Sequence, residues 1–355
     1  MTNPNYFLVL FVLLLNWSVV LGSPLIKWSS VYDTENCGLQ HIKSVNYSAI
    51  DPSLIDDEIE NMVGDDYDGG EASANLTSSN PIVESEGLQQ KAMGGTAVKD
   101  GEMPWAVAIF NKDEYICTGT LVSKKHVLTA AHCFFQKDHG CTFVVPKTVV
   151  KDFEVRYGGT CVKSEDPSCE GHDGLKSVKI VRAEYREFFL LHNCNDGSDF
   201  AMIELEFPID ETHICLPHLH NTTGLREKPT FWSYGWGSDP QKNLVVHPIL
   251  QNLDVGPPLT RAYCKKLYSN LPDDVICAME YNNKDMCSGD SGGGFVASLG
   301  KRFFLQGLVS FGTECARLVH EGFKPKAQVF TDVSYHTASI DRFVFGHKNA
   351  SIYNL

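Results

Sequence analysis

Three side chains in this sequence have the types that nucleophilic catalysis requires, and they occur in the order histidine, aspartate, serine. Ser291 lies within the glycine-rich segment 289–293, which allows a tight turn that exposes the hydroxyl and directs backbone N–H groups at a developing oxyanion. His132 precedes a cysteine, and Asp199 opens an apolar stretch. A histidine that an aspartate orients can activate a serine for attack on a carbonyl carbon. The sequence therefore predicts acyl-transfer chemistry at Ser291.

The segment around Ser291 also satisfies the G-x-S-x-G nucleophile elbow of the α/β-hydrolases. In that class the acid and the histidine follow the serine in the chain. Here both precede it, and the chain ends at Leu355, 64 residues after Ser291, without alternating strands and helices. A lipase or esterase of the α/β class is therefore the weaker alternative.

After Ala92 the sequence consists of short apolar runs separated by Gly, Asp, Asn and Pro, which is the pattern of a β-rich domain. The clearest runs cover residues 105–110, 120–122, 127–131, 201–205 and 303–309. A helix is predicted over Tyr335–Phe345, where Ile340, Phe343 and Val344 share one face. We expect a mostly antiparallel β domain that ends in a helix.

Two motifs of this β-rich region resemble those of the chymotrypsin/trypsin family of serine peptidases. They are TAAHC at residues 129–133 and GDSGG at residues 289–293, with an aspartate between them, and the resemblance extends from about Lys91 to the end of the chain. It implies an all-β fold of two six-stranded antiparallel β-barrels, the trypsin-like double barrel, with a C-terminal helix. Residues 92–355 would form this peptidase domain.

The resemblance also implies a role for each site residue. Ser291 is the nucleophile, His132 takes and returns the proton, and Asp199 holds the imidazole in the required tautomer. The N–H groups of Gly289 and Ser291 form the oxyanion hole. The implied activity is that of a serine endopeptidase, whose partners are polypeptide substrates.

Cysteine spacing adds to this resemblance. It implies three bridges in the peptidase domain and one that tethers the preceding segment to it, namely Cys117–Cys133, Cys264–Cys277, Cys287–Cys315 and Cys37–Cys215. Phe231 and Ala297 stand where another family bridge is usual, which suggests apolar packing in its place. For the other four cysteines we favour Cys161–Cys169 in a short surface loop and Cys141–Cys194 between loops that flank the cleft.

The N-terminal residues and the cysteine content predict export. Tyr6–Leu21 is apolar and uncharged, and it is shorter than the roughly 20 residues of a membrane span, so residues 1–22 are predicted to be a signal peptide. A retained signal-anchor is the alternative. The 12 cysteines suit an oxidising compartment, as do four glycosylation sequons, at Asn46, Asn75, Asn221 and Asn349. We expect a secreted, extracellular glycoprotein without a stable membrane anchor.

Residues 23–91 form an acidic segment ahead of the peptidase domain. From Pro24 to Lys91 there are 13 acidic residues and three lysines, so this segment carries −10 of the formal net charge of −14. It lacks clear periodicity, which predicts a flexible arm, interpreted as a propeptide. The net charge of the whole chain disfavours nucleic acid as a partner.

By resemblance, cleavage after Lys91 frees an amine at Ala92 that inserts and pairs with Asp290. An activating protease is therefore an expected partner, and protein protease inhibitors are further candidates. The family usually begins its mature chain with Ile-Val, whereas this chain would begin with Ala92 and Met93. Alanine in place of a buried isoleucine typically costs about 2–5 kcal/mol when a cavity is left, and Met93 can fill part of it. We therefore expect a weak zymogen-to-enzyme switch.

Asp285, six residues before Ser291, resembles the residue at the base of the specificity pocket in trypsin-like members. A carboxylate there selects Lys or Arg, because a buried charge must be paired. Ser310, Phe311 and Gly312 resemble the strand that pairs with the substrate backbone. The sequence thus predicts cleavage after Lys or Arg.

The walls of this pocket depart from the family pattern. Met286 is large for its position, and Gln328 stands where a second pocket glycine is usual. The loop 316–327 is longer than in trypsin, so Gly322 is an alternative for the position of Gln328. A narrowed or altered pocket is the competing interpretation.

No cofactor or metal is expected. The sequence has no H-E-x-x-H or paired C-x-x-C spacing, and Gly159 stands where calcium-binding relatives supply a carboxylate. The rival to the enzyme is a catalytically impaired, peptidase-like binding or regulatory protein, because Ala92, Met286 and Gln328 occupy positions that control competence. The fold alone does not separate these two functions.

Overall fold

The computed structural model describes residues 31–41, 93–134, 147–185, 189, 196–220 and 228–346. Several expectations fall outside these residues and stay predictions: the signal peptide, the four sequon asparagines, Lys91, Ala92 and the Cys141–Cys194 pair. No helix in the described ranges is long and apolar enough to cross a membrane.

The described ranges fold mostly into β-strands, as predicted. The strands are β1 (Thr96–Ala97), β2 (Ala106–Asn111), β3 (Glu114–Ser123), β4 (His126–Thr129), β5 (Phe153–Tyr157), β6 (Lys176–Tyr185), β7 (Ala201–Leu205), β8 (Thr230–Gly235), β9 (Gln251–Asp254), β10 (Val275–Met279), β11 (Gly294–Leu299), β12 (Arg302–Phe311) and β13 (Ala327–Asp332). The helices are α1 (Arg261–Leu267), α2 (Cys315–His320) and α3 (Thr337–Phe345).

Two antiparallel sheets divide these strands. The first is a closed six-stranded barrel in the order β2-β3-β4-β7-β6-β5, and the second has the order β1-β9-β8-β11-β12-β13-β10. The all-β class is confirmed. The second sheet has seven strands where six were expected, because Thr96 and Ala97 pair with β9 at its edge. Fully buried apolar side chains such as Val107, Leu121 and Val155 fill the first barrel.

The predicted C-terminal helix is confirmed as α3, which begins two residues later than expected. Residues 335–336 instead end a 3-10 turn, which Asp332 caps by accepting a hydrogen bond from the Ser334 N–H at 2.8 Å. Ile340 and Phe343 are buried in the main core, as the helical pattern predicted.

Five disulfide bonds join the described cysteines in the predicted pairs. They are Cys37–Cys215, Cys117–Cys133, Cys161–Cys169, Cys264–Cys277 and Cys287–Cys315. Phe231 and Ala297 face each other across β8 and β11, and Phe231 stacks on Phe295 with ring centroids 5.5 Å apart. Apolar packing therefore occupies the position of the missing family bridge.

One part of the acidic arm is packed where the sequence predicts flexibility. Residues 31–41 lie against the second sheet, where the Phe303 N–H donates to the Gly38 carbonyl oxygen at 3.0 Å. Tyr32 is buried and donates its hydroxyl to Asp341 at 3.3 Å. The tether at Cys37 and the burial of an aromatic ring offset the entropy of ordering this segment.

Candidate active site

Strand pairing brings His132 and Asp199 together. Thr129, at the end of β4, lies opposite Ala201, at the start of β7, so the residues just outside these strand ends meet. His132 Nδ1 and Asp199 Oδ2 are 2.8 Å apart. Asp199 Oδ1 accepts the backbone N–H of His132 at 2.9 Å. Both carboxylate oxygens therefore contact His132.

The second sheet supplies two further contacts to Asp199. Ser310, near the end of β12, donates its hydroxyl to Asp199 Oδ2 at 2.6 Å. Thr331 of β13 donates to the Asp199 carbonyl oxygen at 2.8 Å. Burial acts to raise the pKa of Asp199, but the charge of His132 and the hydrogen bonds from His132 and Ser310 outweigh it and hold the pKa below its ordinary value. Asp199 is therefore an oriented carboxylate.

Ser291 lies in a tight turn just before β11. A Cβ at Gly292, where φ is +77°, would lie 2.0 Å from Thr129 Oγ1, so the turn requires glycine there. The N–H groups of Gly289 and Ser291 donate to no described residue and are available to an oxyanion. Ser291 and His132 line one cavity of about 230 Å³. Within the described residues the Ser291 hydroxyl makes no hydrogen bond to His132.

Asp290 is fully buried beside the turn that carries Ser291. Its carboxylate accepts the Gly237 N–H at 2.7 Å and the Cys287 N–H at 2.8 Å. A Cβ at Gly237 would lie 2.4 Å from Asp290 Cγ, so this close approach requires glycine. Burial raises the pKa of Asp290 to about 7, against the opposing effect of the two N–H groups. No cation in the described ranges pairs with it.

The cavity in front of Ser291 gathers five of the six predicted specificity residues. Its lining includes Met286, Ser310, Phe311, Gly312 and Gln328. Asp285 is not part of the lining and is 3% exposed. Gly322 is exposed in the loop after α2, so Gln328, and not Gly322, occupies the wall position.

The buried carboxylate of Asp285 is only partly hydrogen-bonded. Oδ1 accepts the Met286 N–H at 2.8 Å, whereas Oδ2 has no partner among the described residues. Burial, and then the negative charge of Glu280, raises the pKa of Asp285 well above its ordinary value. Burying a hydrogen-bond acceptor without a partner costs free energy. A ligand that donates a hydrogen bond to Oδ2 would therefore stabilise this site.

Comparisons with known proteins agree with this fold. A family model described as Trypsin matches residues 92–335. The chain belongs to the trypsin family. It is 34% identical over 293 residues to the Trypsin-like protease try-5 of Caenorhabditis elegans, covering 71% of this chain and 86% of that protein. Family membership makes this chain a serine protease by class, and proteases act on polypeptides.

A solved structure of mouse neuropsin, described as a serine protease expressed in the limbic system of mouse brain, has the same fold. The TM-score is 0.52 at 24% identity, covering 70% of this chain and 98% of that one. At this identity the similarity concerns the fold alone.

His132 also lines a second, larger cleft of about 770 Å³. Its lining includes Asp199, Phe189, Tyr268, Phe311 and Lys326. His132, Ser310 and Phe311 line both cavities. A bound peptide that extends from one cavity into the other would therefore pass His132.

Sequence reasoning missed two residues that hold the turn around Ser291. Tyr115 donates its hydroxyl to the Gly289 carbonyl oxygen at 2.6 Å, and Thr118 donates to the same oxygen at 3.1 Å. Both lie on β3, more than 170 residues before Gly289 in the chain. No local sequence signal could have indicated contacts of such long range.

Met93 anchors the start of the domain. Its side chain is fully buried and packs with Cys287, Cys315 and Leu318. The next residue, Gly94, has a φ of +78°, and a Cβ there would lie 2.5 Å from the Asn283 carbonyl oxygen. The residues that follow Ala92 are therefore held firmly in place.

Two groups of side chains in the described ranges have the spacing of metal ligands. They are Cys37, Cys215 and His220, and Cys117, His132 and Cys133. In both groups the two cysteines form a disulfide bond with each other. Because metals bind thiolates, neither group suits a metal ion.

Proposed function

We propose that this chain is a secreted serine endopeptidase, made as a zymogen, that cleaves peptide bonds after Lys or Arg through an acyl-enzyme on Ser291. The observation that carries the proposal is that His132, doubly hydrogen-bonded to Asp199, lines the same cavity as Ser291. The order of these residues and the membership of the trypsin family support the same chemistry.

In the proposed first step, Ser291 Oγ attacks the peptide carbonyl carbon while its proton passes to His132 Nε2. Asp199 accepts the Nδ1–H of His132, which fixes the tautomer and stabilises the imidazolium that forms. The Gly289 and Ser291 N–H groups stabilise the oxyanion. His132 then gives the proton to the leaving amine, and the C–N bond breaks.

In the second step, water attacks the ester on Ser291. His132 takes a proton from this water, the oxyanion forms again, and the Ser291–acyl bond breaks. The serine recovers its proton from His132. Overall one peptide bond and one water give a carboxylic acid and an amine.

The zymogen part of the proposal rests on the surroundings of Asp290. This carboxylate is buried and pairs with no described cation, and Met93 packs against Cys287, whose N–H donates to the same carboxylate. A free amine at Ala92 would supply the missing positive charge. The high pKa of Asp290 before cleavage is what an unpaired buried carboxylate should show.

The experiment that tests the proposal is labelling with a fluorophosphonate probe, which reacts with an activated serine. The secreted protein is labelled before and after limited cleavage at Lys91, with Ser291→Ala as the control for the nucleophile and Lys91→Gln as the control for cleavage. We expect labelling of the wild type only after cleavage, and none in either variant. Absence of label in the fully cleaved wild type would contradict the proposal and favour the peptidase-like binding protein.

A further inference from the structure

Three oxygen-bearing side chains form a group beside the cavity in front of Ser291. Asp285 and Glu280 are close enough that the charge of Glu280 raises the pKa of Asp285. A Cβ at Gly312 would lie 2.5 Å from Gln328 Oε1 and 2.6 Å from Glu280 Oε1, so these two oxygens lie against the same point of the backbone. We call Glu280, Asp285 and Gln328 the acceptor cluster.

The acceptor cluster lacks donors for two of its buried oxygens. Glu280 is satisfied, because its two oxygens accept the N–H groups of Thr313 at 2.6 Å and Lys326 at 2.7 Å. Asp285 Oδ2 and Gln328 Oε1 are buried without a partner among the described residues. Within the same ranges no lysine, arginine or histidine forms an ion pair with either carboxylate. The cluster is therefore suited to an arriving cation that donates hydrogen bonds.

Gln328 restricts the space that this cation can use. It is 3% exposed, its Nε2 donates to the Phe311 carbonyl oxygen at 3.1 Å, and its backbone pairs with Ala278 in β10. The amide thus lies across the wall formed by Gly312. Gln328 lines the cavity and Asp285 does not, so the cavity ends before the carboxylate.

We propose that Gln328 makes this pocket selective for lysine over arginine at the residue before the scissile bond. The inference rests on the proposed function and deepens it. An ammonium is a compact charge whose three donors can reach acceptors on different sides. A guanidinium is a planar fork that binds best to two parallel oxygens of one carboxylate. Here Asp285 Oδ1 already accepts the Met286 N–H, and Gln328 occupies the space that a planar group needs.

The test uses the full chain cleaved at Lys91 and two fluorogenic peptides that differ only in Lys or Arg before the scissile bond. A third peptide carries norleucine, which has the four-carbon side chain of lysine without the ammonium. We expect kcat/KM for the Lys peptide to exceed that for the Arg peptide at least tenfold, with the norleucine peptide slowest. In the Gln328→Gly variant the kcat/KM values for the Lys and Arg peptides should lie within about threefold of each other, because the value for the Arg peptide rises.

Gln306→Gly is the matched control, because Gln306 also lies in a strand of the second sheet but not at the cavity. It should keep the wild-type ratio. A second measurement needs no variant: n-butylammonium should inhibit the wild type more strongly than n-propylguanidinium.

Fluorophosphonate labelling of every sample distinguishes a failure of the lysine-selectivity inference from a failure of the proposed function. If Ser291 is labelled but Arg or norleucine is preferred, or if Gln328→Gly keeps the wild-type ratio, the inference is wrong while the proposed function stands. If Ser291 in the cleaved chain is not labelled, both fail.

Discussion

The backbone N–H of Asp285 donates to the carbonyl oxygen of Met93 at 3.1 Å. This bond joins the backbone of Asp285, the predicted base of the specificity pocket, to the second residue after the predicted cleavage point. Met93 also packs against Cys287, two residues beyond Asp285. The position of Met93 and the shape of the pocket are therefore physically coupled.

Replacing Met93 with alanine should weaken both the fold and the pocket. The substitution leaves a cavity among Cys287, Cys315 and Leu318, and truncation of a buried methionine costs about 2–5 kcal/mol. We expect the free energy of unfolding to fall by this amount in urea titrations, and KM for Lys peptides to rise in the cleaved enzyme. Met93→Leu, which nearly conserves volume, should cost less than about 1.5 kcal/mol. Equal effects of the two substitutions would argue against the packing role.

Asp290 should make the uncleaved chain less stable as the pH rises. Its pKa is about 7 in the folded chain, above the ordinary value of 3.8, so the folded state favours the protonated form. The contribution of Asp290 to the free energy of unfolding is fully present below about pH 4. It decreases as the pH rises to about 7 and is lost above that pH. The shift corresponds to a loss on the order of 4 kcal/mol.

Urea unfolding of the uncleaved chain between pH 4 and pH 8, compared with Asp290→Asn, measures this effect. The free energy of unfolding of the wild type should fall relative to that of Asp290→Asn between pH 4 and about pH 7, and the difference should change little above that pH. Cleavage at Lys91 should reduce the shift, because the new amine would pair with the carboxylate. A pH-independent difference would refute the assignment.

We expect Asp274 to fix the position of Asp199 through contacts with the residues next to Asp199 in the chain. Asp274 Oδ2 accepts the Ser198 N–H at 2.7 Å and faces His336 Nε2 at 3.0 Å. His336 in turn stacks on Phe200 with ring centroids 4.5 Å apart. The residues on both sides of Asp199 are thus fixed by one buried pair.

Asp274→Asn keeps the side-chain shape but removes the charged acceptor, which typically contributes about 1.5–3 kcal/mol to a hydrogen bond. We expect kcat to fall roughly tenfold or more with little change in KM. The neighbouring Asp273, whose side chain is 83% exposed, provides the matched control as Asp273→Asn. An unchanged kcat in Asp274→Asn would show that the pair is only structural.

The Cys37–Cys215 disulfide should keep the arm attached after cleavage at Lys91. On a gel without reductant the cleaved protein should remain one species, and reductant should release a fragment. The double variant Cys37→Ser, Cys215→Ser should release it without reductant and lose about 2–5 kcal/mol of stability. Release of the fragment from the non-reduced wild type would contradict this prediction.

The sequence by itself indicated the family and the all-β class, which follow from short local motifs, TAAHC and GDSGG, and from apolar runs separated by turn residues. The resemblance to the family implied four of the five disulfide pairs among the described cysteines, and Cys161–Cys169 was the favoured pairing of two of the others. The helix at the C-terminus also followed, since its apolar period is local. Local motifs and apolar periodicity can be recognised in the sequence because they depend only on residues that are close together along the chain.

Only the tertiary structure decided which groups meet across the fold. The contacts of Tyr115 with Gly289, of Asp274 with Ser198 and of residues 31–41 with the second sheet join segments that are far apart in sequence. It also separated Asp285, buried outside the cavity, from Gln328 in its wall. Burial and unpaired acceptors are properties of packed surroundings, which no pattern of residue types along the chain specifies.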